Sequence, residues 1–456
     1  MTWLAHLGPV SDGWLRWAEW PGPQGWLRVG VILVFGSLIT VRPQGVPEYD
    51  LAPIHYSTTE PTNRVSILQQ RLEEDPGFRG LDPKTTLRRC LEALEVPVDS
   101  QVLVFSKTSL QRNRISPRTP RAVYFSDDCY VGWVPGGLVE VAVSDPKLGL
   151  VFYSFDPTAT PGDRRFVRDE DCLSCHAGPL TRRWPALMVR SVFVDARGEP
   201  ISHGGSFLTG HDSPLSERWG GWYVTGQHGR EHHMGNATAR EMDREVVLDR
   251  VAGANATDLS KYFRADEHLR SDSDIVALMV FEHQVGMHNR LVEGGLRTRK
   301  WMHYQQALQR ELGEPISPEP TGTALRVIES EASRIVEHLL FVGEARLPDG
   351  GIQGNDAFPT AFRQNRRTDG QGRSLKDLEL RTRLFRFRCS HLIYSEAFES
   401  LPLELKRTVY RRLDGILGAD TPPAPFQHLG DDERQAIREI LVATKSDLAT
   451  EWNGSR

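Results

Sequence analysis

The hydrophobic pattern changes period along the chain, and the changes mark out its regions. Residues 64–74 place Val65, Leu68 and Leu72 at helical spacing, and 83–94 repeat that period with Asp82 as a cap and Pro83 in the first turn. From residue 102 the pattern shortens. Runs at 102–105, 122–125, 130–134, 138–143 and 150–155 are rich in Val, Phe, Tyr and Leu. They are bounded by Ser116-Pro117, Pro135-Gly136-Gly137 and Asp145-Pro146, so they predict strands. Further strand-like runs fall at 188–195, 206–208 and 221–225, with Ala196-Arg197-Gly198 as a turn.

The last third is helical in pattern. Residues 274–296 form a strong apolar helix that should continue in pieces toward 312. Leu325, Ile328, Ala332, Ile335 and Leu339 share one face of a helix over 323–340. Residues 402–417 and 431–443 predict two more, the second opened by Asp431 and Asp432. Between them, 346–373 is rich in Gly, Asp, Asn and Arg and predicts a long loop. The expected fold class is therefore α+β: a mixed strand and helix region over 62–270, followed by a mainly helical region over 271–456.

The start of the chain differs again. Residues 1–28 carry five Trp, residues 29–41 are the one long apolar run, and 42–61 is a Pro- and Thr-rich linker. The apolar run is short for a bilayer span and fits a signal-peptide core or a single N-terminal membrane anchor. Arg16 and Arg28 ahead of it favour an outside body, which puts the protein in the periplasm or on the outer face of a bacterial cytoplasmic membrane.

Composition narrows the chemistry. A hydrophobic fraction of 39% with 25% charged residues is that of a folded globular chain. A net charge of −5 gives no electrostatic case for nucleic acid. Five Cys in 456 residues are too few for a disulfide framework. Two of them stand in Cys172-Leu173-Ser174-Cys175-His176, a CxxCH pentapeptide. Two thiols at this spacing can each add to a vinyl group of one haem, and the adjacent imidazole can then ligate its iron. The competing readings are a CxxC redox pair or half a zinc site.

Cys172, Cys175 and His176 resemble the attachment motif of c-type cytochromes. The resemblance implies haem c with those thiols as thioether links and His176 as the proximal iron ligand. It covers five residues. The motif sits mid-chain in a strand-rich context, unlike the small helical cytochromes c, and a second motif, as in the di-haem peroxidases, is missing. The chain is more similar to large bacterial cytochrome-c-domain proteins with a single motif and no assigned activity. The expected function is exported one-electron transfer to a redox partner protein. The alternative is a haem c enzyme, a peroxidase or small-molecule oxidoreductase with an open distal site.

Ten of the 15 His lie between His176 and His303, and every Met after Met1 lies between Met188 and Met302. The distal iron ligand is expected in the loop His228 to Asn236, from Met234 for His/Met ligation or from His232 or His233 for bis-His. A second choice is the helix carrying Met279, His283 and Met287, which are spaced by four and share a face. Glu282, His283 and His288 lack the Glu-x-x-His spacing of a di-iron site, and no His-Glu-x-x-His of a zinc hydrolase is present.

Overall fold

The computed structural model describes residues 45–72, 81–159 and 164–454. The apolar run at 29–41 and the Trp-rich segment before it lie outside the described residues. Among the described residues no helix is long and apolar enough to cross a membrane.

The fold is α+β, as the change of period predicts: a seven-stranded antiparallel sheet followed by a mostly helical region. The strands are β1 (Val102–Val104), β2 (Arg121–Phe125), β3 (Cys129–Trp133), β4 (Val139–Asp145), β5 (Gly149–Phe155), β6 (Val167–Arg168), β7 (Arg190–Val192), β8 (Ser206–Leu208), β9 (Trp222–Tyr223), β10 (Ala239–Met242) and β11 (Glu245–Leu248). The main sheet runs β6-β5-β4-β3-β2-β1-β9, a meander closed at one edge by a later strand. β7–β8 and β10–β11 are separate two-stranded ribbons. The helices are α1 (Arg64–Leu72), α2 (Pro83–Ala93), α3 (Leu173–His176), α4 (Ile275–Glu311), α5 (Gly322–Leu339), α6 (Ala357–Phe362), α7 (Glu396–Glu399), α8 (Leu403–Leu417), α9 (Asp431–Thr444) and α10 (Ser446–Gly454).

Register fixes which side chains share a face of the sheet. The pairs Val104↔Arg121, Val123↔Gly132, Phe125↔Tyr130, Gly132↔Glu140, Ala142↔Phe152 and Val104↔Trp222 put these residues on one side. α4 lies against part of that side: Phe281 meets Phe125, Tyr130 and Trp222, and His288 meets Tyr130. Coverage explains why β3 is buried along its whole length.

Three expectations change. The helix Ile275–Glu311 runs unbroken for 37 residues, past 296, beyond which the pattern predicts only pieces. A Cβ at Gly286 would lie 2.8 Å from the His338 ring, and one at Gly294 would lie 3.1 Å from Ile335, so α5 packs closely there. The 42–61 segment does not behave as a free linker where it is described. Tyr49 and Tyr56 are buried, the Tyr56 hydroxyl donates to the Leu150 carbonyl at 2.8 Å, and Arg168 stands over the Tyr56 ring. The 346–373 loop contains α6, which buries Phe358 and Phe362.

One apolar cluster surrounds the sheet and a second fills the helical region. α4 contributes to both: Ile275, Phe281 and Val285 to the first, Met287, Leu291 and Met302 to the second.

Candidate functional site

Directly after β6 the chain turns into the CxxCH segment. The Asp169 carboxylate accepts from the Asp171 backbone N–H at 3.1 Å and starts a single 3-10 turn, Glu170–Cys172, which passes into α3. Helical winding puts Cys172 and Cys175 on one side, three residues apart, with His176 one residue on. All three line one cavity of about 350 Å³ between this turn and the sheet. Such a volume falls in the range of sites for small molecules and cofactors.

His176 is held firmly. Its Nδ1 contacts the Ala186 carbonyl at 2.8 Å, and its own carbonyl accepts from the Ala186 N–H at 2.8 Å. The Phe152 ring packs on it with centroids 4.9 Å apart. Burial, opposed by the Ala186 contact, lowers its pKa from the ordinary histidine value, so the ring is neutral at physiological pH. A neutral imidazole tied through Nδ1–H to a carbonyl leaves Nε2 as the ligating atom, the usual arrangement behind a metal-bound histidine. The loop that supplies Ala186 is fastened to α4: the Leu187 N–H donates to Asn289 Oδ1 at 2.9 Å, and Asn289 Nδ2 donates to the Leu187 carbonyl at 2.8 Å.

The sheet supplies the facing wall. Arg121 of β2 and Glu140 of β4 form an ion pair at 2.6 Å across β3. Gly132 makes this possible, since a Cβ there would fall 2.0 Å from Arg121 Nη2. Tyr130 stands on the same face, its hydroxyl bonded to His288 Nδ1 and accepting from Gln284 at 3.2 Å. Phe152, Leu180, Leu187, Trp222 and Phe281 add apolar surface. The combination is a largely apolar slot whose wall carries the Arg121–Glu140 pair and a further guanidinium, Arg190.

Electrostatics weigh against Cys172 as a redox nucleophile. The Cys172 thiol is pushed up to about 12, chiefly by burial, with Asp169 and Glu140 adding to the shift and Arg121 opposing it. A reactive cysteine of a redox pair needs the opposite shift. Among the described residues, no grouping of His, Cys, Asp and Glu at metal-holding distances includes either cysteine.

The structure brings Cys172, Cys175 and His176 together and leaves the three expected distal ligands elsewhere. Met234 is fully buried, and its sulfur accepts from the Ser191 hydroxyl at 3.5 Å. His233 is buried against Trp219 and His228, with Nδ1 accepting from the Gly235 N–H at 2.9 Å. Neither they nor His232 line the cavity, and Met279, His283 and Met287 do not either. Met188 is the one methionine that does.

Sequence reasoning passed over Arg121, Gly132 and Glu140. The available signal was a glycine inside an otherwise apolar strand, which marks a place where something else approaches the backbone. Compared with protein-family models, with curated proteins and with solved structures, the chain matches none.

Proposed function

We propose that the chain is a monohaem c-type cytochrome, exported or anchored at its N-terminus, that carries single electrons to or from a redox partner protein. One observation carries this reading: both thiols and the histidine of a CxxCH turn face one apolar cavity, with the imidazole already oriented by a backbone carbonyl. Cys172 and Cys175 would hold the haem as thioethers, and His176 Nε2 would ligate the iron. Haem c, when bound, supplies a one-electron iron couple. The protein keeps that couple dry with Phe152, Leu187, Trp222 and Phe281 and keeps His176 in one tautomer through Ala186. Met188 lines the same cavity and would be available as a further iron ligand in a carrier.

The second reading, a haem c enzyme, draws on the Arg121–Glu140 pair. A carboxylate and a guanidinium on the cavity wall can hold a proton and a positive charge beside a small polar ligand. That is more equipment than an electron carrier needs.

The full chain, co-expressed with c-type maturation factors, is expected to keep a haem stain after denaturation, with about one haem per chain. Cys172→Ala with Cys175→Ala should abolish the stain. A stain-negative native chain would overturn the proposal. A ferrous spectrum unchanged by carbon monoxide supports the carrier, and a high-spin haem that binds carbon monoxide supports the enzyme.

A further inference from the structure

Three histidines from distant parts of the sequence meet in the helical region. His211 follows β8, His283 lies on α4 and His338 is in the last turn of α5. All three are buried, and none lines the CxxCH cavity. One ring nitrogen of each lies within 4.8 Å of the others, and His211 Nδ1 and His283 Nδ1 are 2.9 Å apart.

We propose that His211, His283 and His338 form a binding site for a late first-row transition-metal ion of the zinc and copper class, separate from the haem cavity. The spacing fits. A tetrahedral ion that binds imidazole nitrogens at roughly 2.0–2.1 Å holds them about 3.3 Å apart. His211 Nδ1 and His283 Nδ1 stand at 2.9 Å and the third nitrogen lies within 4.8 Å of both, so modest ring rotations suffice to reach it.

The outer contacts of the rings argue for the same arrangement. His211 Nε2 faces the Val342 carbonyl at 3.3 Å, His283 Nε2 the Ser390 hydroxyl at 2.8 Å, and His338 Nε2 the His283 carbonyl at 3.1 Å. Each ring thus has its Nε2 engaged by an oxygen, which makes Nδ1 the inward nitrogen of all three. Metal-binding histidines are commonly fixed in this way from behind. Gly286 belongs to the same construction. A Cβ there would lie 2.9 Å from His338 Nε2, so only glycine lets that ring lie against the α4 backbone and reach the His283 carbonyl.

The donor set selects the ion. Three imidazoles without a carboxylate suit zinc and copper, whereas calcium and magnesium take oxygen ligands. Arg290 brings a positive charge within range of the three rings and Arg218 adds to it at His211, where Asp212 opposes both. Three protein ligands leave a fourth position for water or a small ligand. The competing account is an aromatic stack without metal. His283 and His338 are parallel with centroids 5.0 Å apart, His283 stacks on Phe341 at 4.1 Å, and one Nδ1–H···Nδ1 bond can join His211 to His283. Such a stack does not need all three Nε2 atoms directed outward.

The test is elemental analysis of the full chain purified without chelator, alongside chelator-stripped protein titrated with zinc and with copper. About one such ion per chain, counted separately from haem iron, and a rise in melting temperature on adding the ion are expected. His338→Ala should weaken binding by at least about tenfold with haem iron retained, and Gly286→Val, which deletes no ligand, should weaken it as well. Native protein that is free of zinc and copper and whose melting temperature neither ion changes would overturn the proposal. Undiminished binding in both variants would do the same.

Discussion

The two halves of the molecule gather imidazole chemistry in opposite ways. At the sheet, one histidine and two thiols come from five consecutive residues, and the fold leaves a cavity in front of them. In the helical region, three histidines separated by 72 and 55 positions are packed among Phe341 and Phe385. A large ligand joined covalently needs room and a local attachment motif. A bare ion needs no room, only converging nitrogens, which distant segments can supply. α4 borders both: Phe281 lines the cavity and Asn289 holds Leu187 beside it, while His283 joins the triad and Gly286 lies under the His338 ring. A helix that borders two sites is buried nearly all round, and its opening run 275–281 is apolar throughout.

Acid should give the largest effect, and in both halves, because burial lowers His233 to about 3 and also lowers His176, His228 and His268, in addition to the triad. Burial is the leading cause that lowers His211 to about 4 and holds His283 and His338 well below their ordinary value. Their folded pKa values lie under the unfolded one, so below about pH 6.5 the unfolded chain binds more protons than the native one. The stability they contribute is present above that pH and is lost as pH falls toward about 4 for His211. Each such histidine adds a slope of roughly 1.4 kcal/mol per pH unit. Denaturant midpoints in chelator should fall steeply between about pH 6.5 and 4.5. A flat profile over that window would mean that these histidines do not stay buried and neutral in the folded chain.

Glu282→Gln should give the next largest effect. Arg218 and Glu282 form an ion pair with both side chains buried. The Arg218 guanidinium also donates to the Ser213 carbonyl, at 2.7 Å from Nη2, and to the His211 carbonyl at 3.2 Å. The pair therefore ties the segment that carries His211 to α4. Neutralising one partner leaves a buried charge unpaired and should cost about 3–5 kcal/mol by chemical denaturation. Zinc or copper affinity should fall with it, while covalent haem per chain should not change. Equal loss at both sites would mean that the halves do not respond separately.

How far each half was legible follows from the same contrast. The strands β2 to β5 and the helices α5, α8 and α9 show in the sequence because one period governs each and turn residues bound them. The CxxCH turn shows because its chemistry is contiguous. The β10–β11 hairpin is hidden because its strands are four residues each and largely exposed, and its turn places Asp243 and Arg244 at positive φ, where Asn-Gly would be the usual signal. The unbroken course of α4 past residue 296 is hidden because 297–311 is mostly polar and shows no sustained apolar stripe. The triad is hidden for a deeper reason. Testing Glu282, His283 and His288 for metal spacing along one helix cannot find ligands contributed by three elements. Those neighbours have other partners: Glu282 pairs with Arg218 and His288 bonds Tyr130. The distal-ligand expectation at Met234 came from residue type alone, and burial of its sulfur against Ser191 depends on contacts that residue type does not encode.

The smallest of these effects isolates the cavity half. Asn289 gives and receives one hydrogen bond with the Leu187 backbone and so joins the His176 loop to α4. Asn289→Ala frees both Leu187 groups. Leu187 is partly buried, so water reaches it only in part, and a cost of about 1–3 kcal/mol is expected. The thioether links depend on Cys172 and Cys175 and should survive. The grip on His176 depends on Ala186, one residue before the freed Leu187, and should loosen. The expected signature is an unchanged haem stain with a larger high-spin fraction and greater carbon monoxide binding. Metal content at the triad, which Asn289 does not bond, should be unaffected. If Asn289→Ala instead releases zinc or copper and leaves the haem spectrum intact, α4 transmits between the two sites, and they are one cooperative unit.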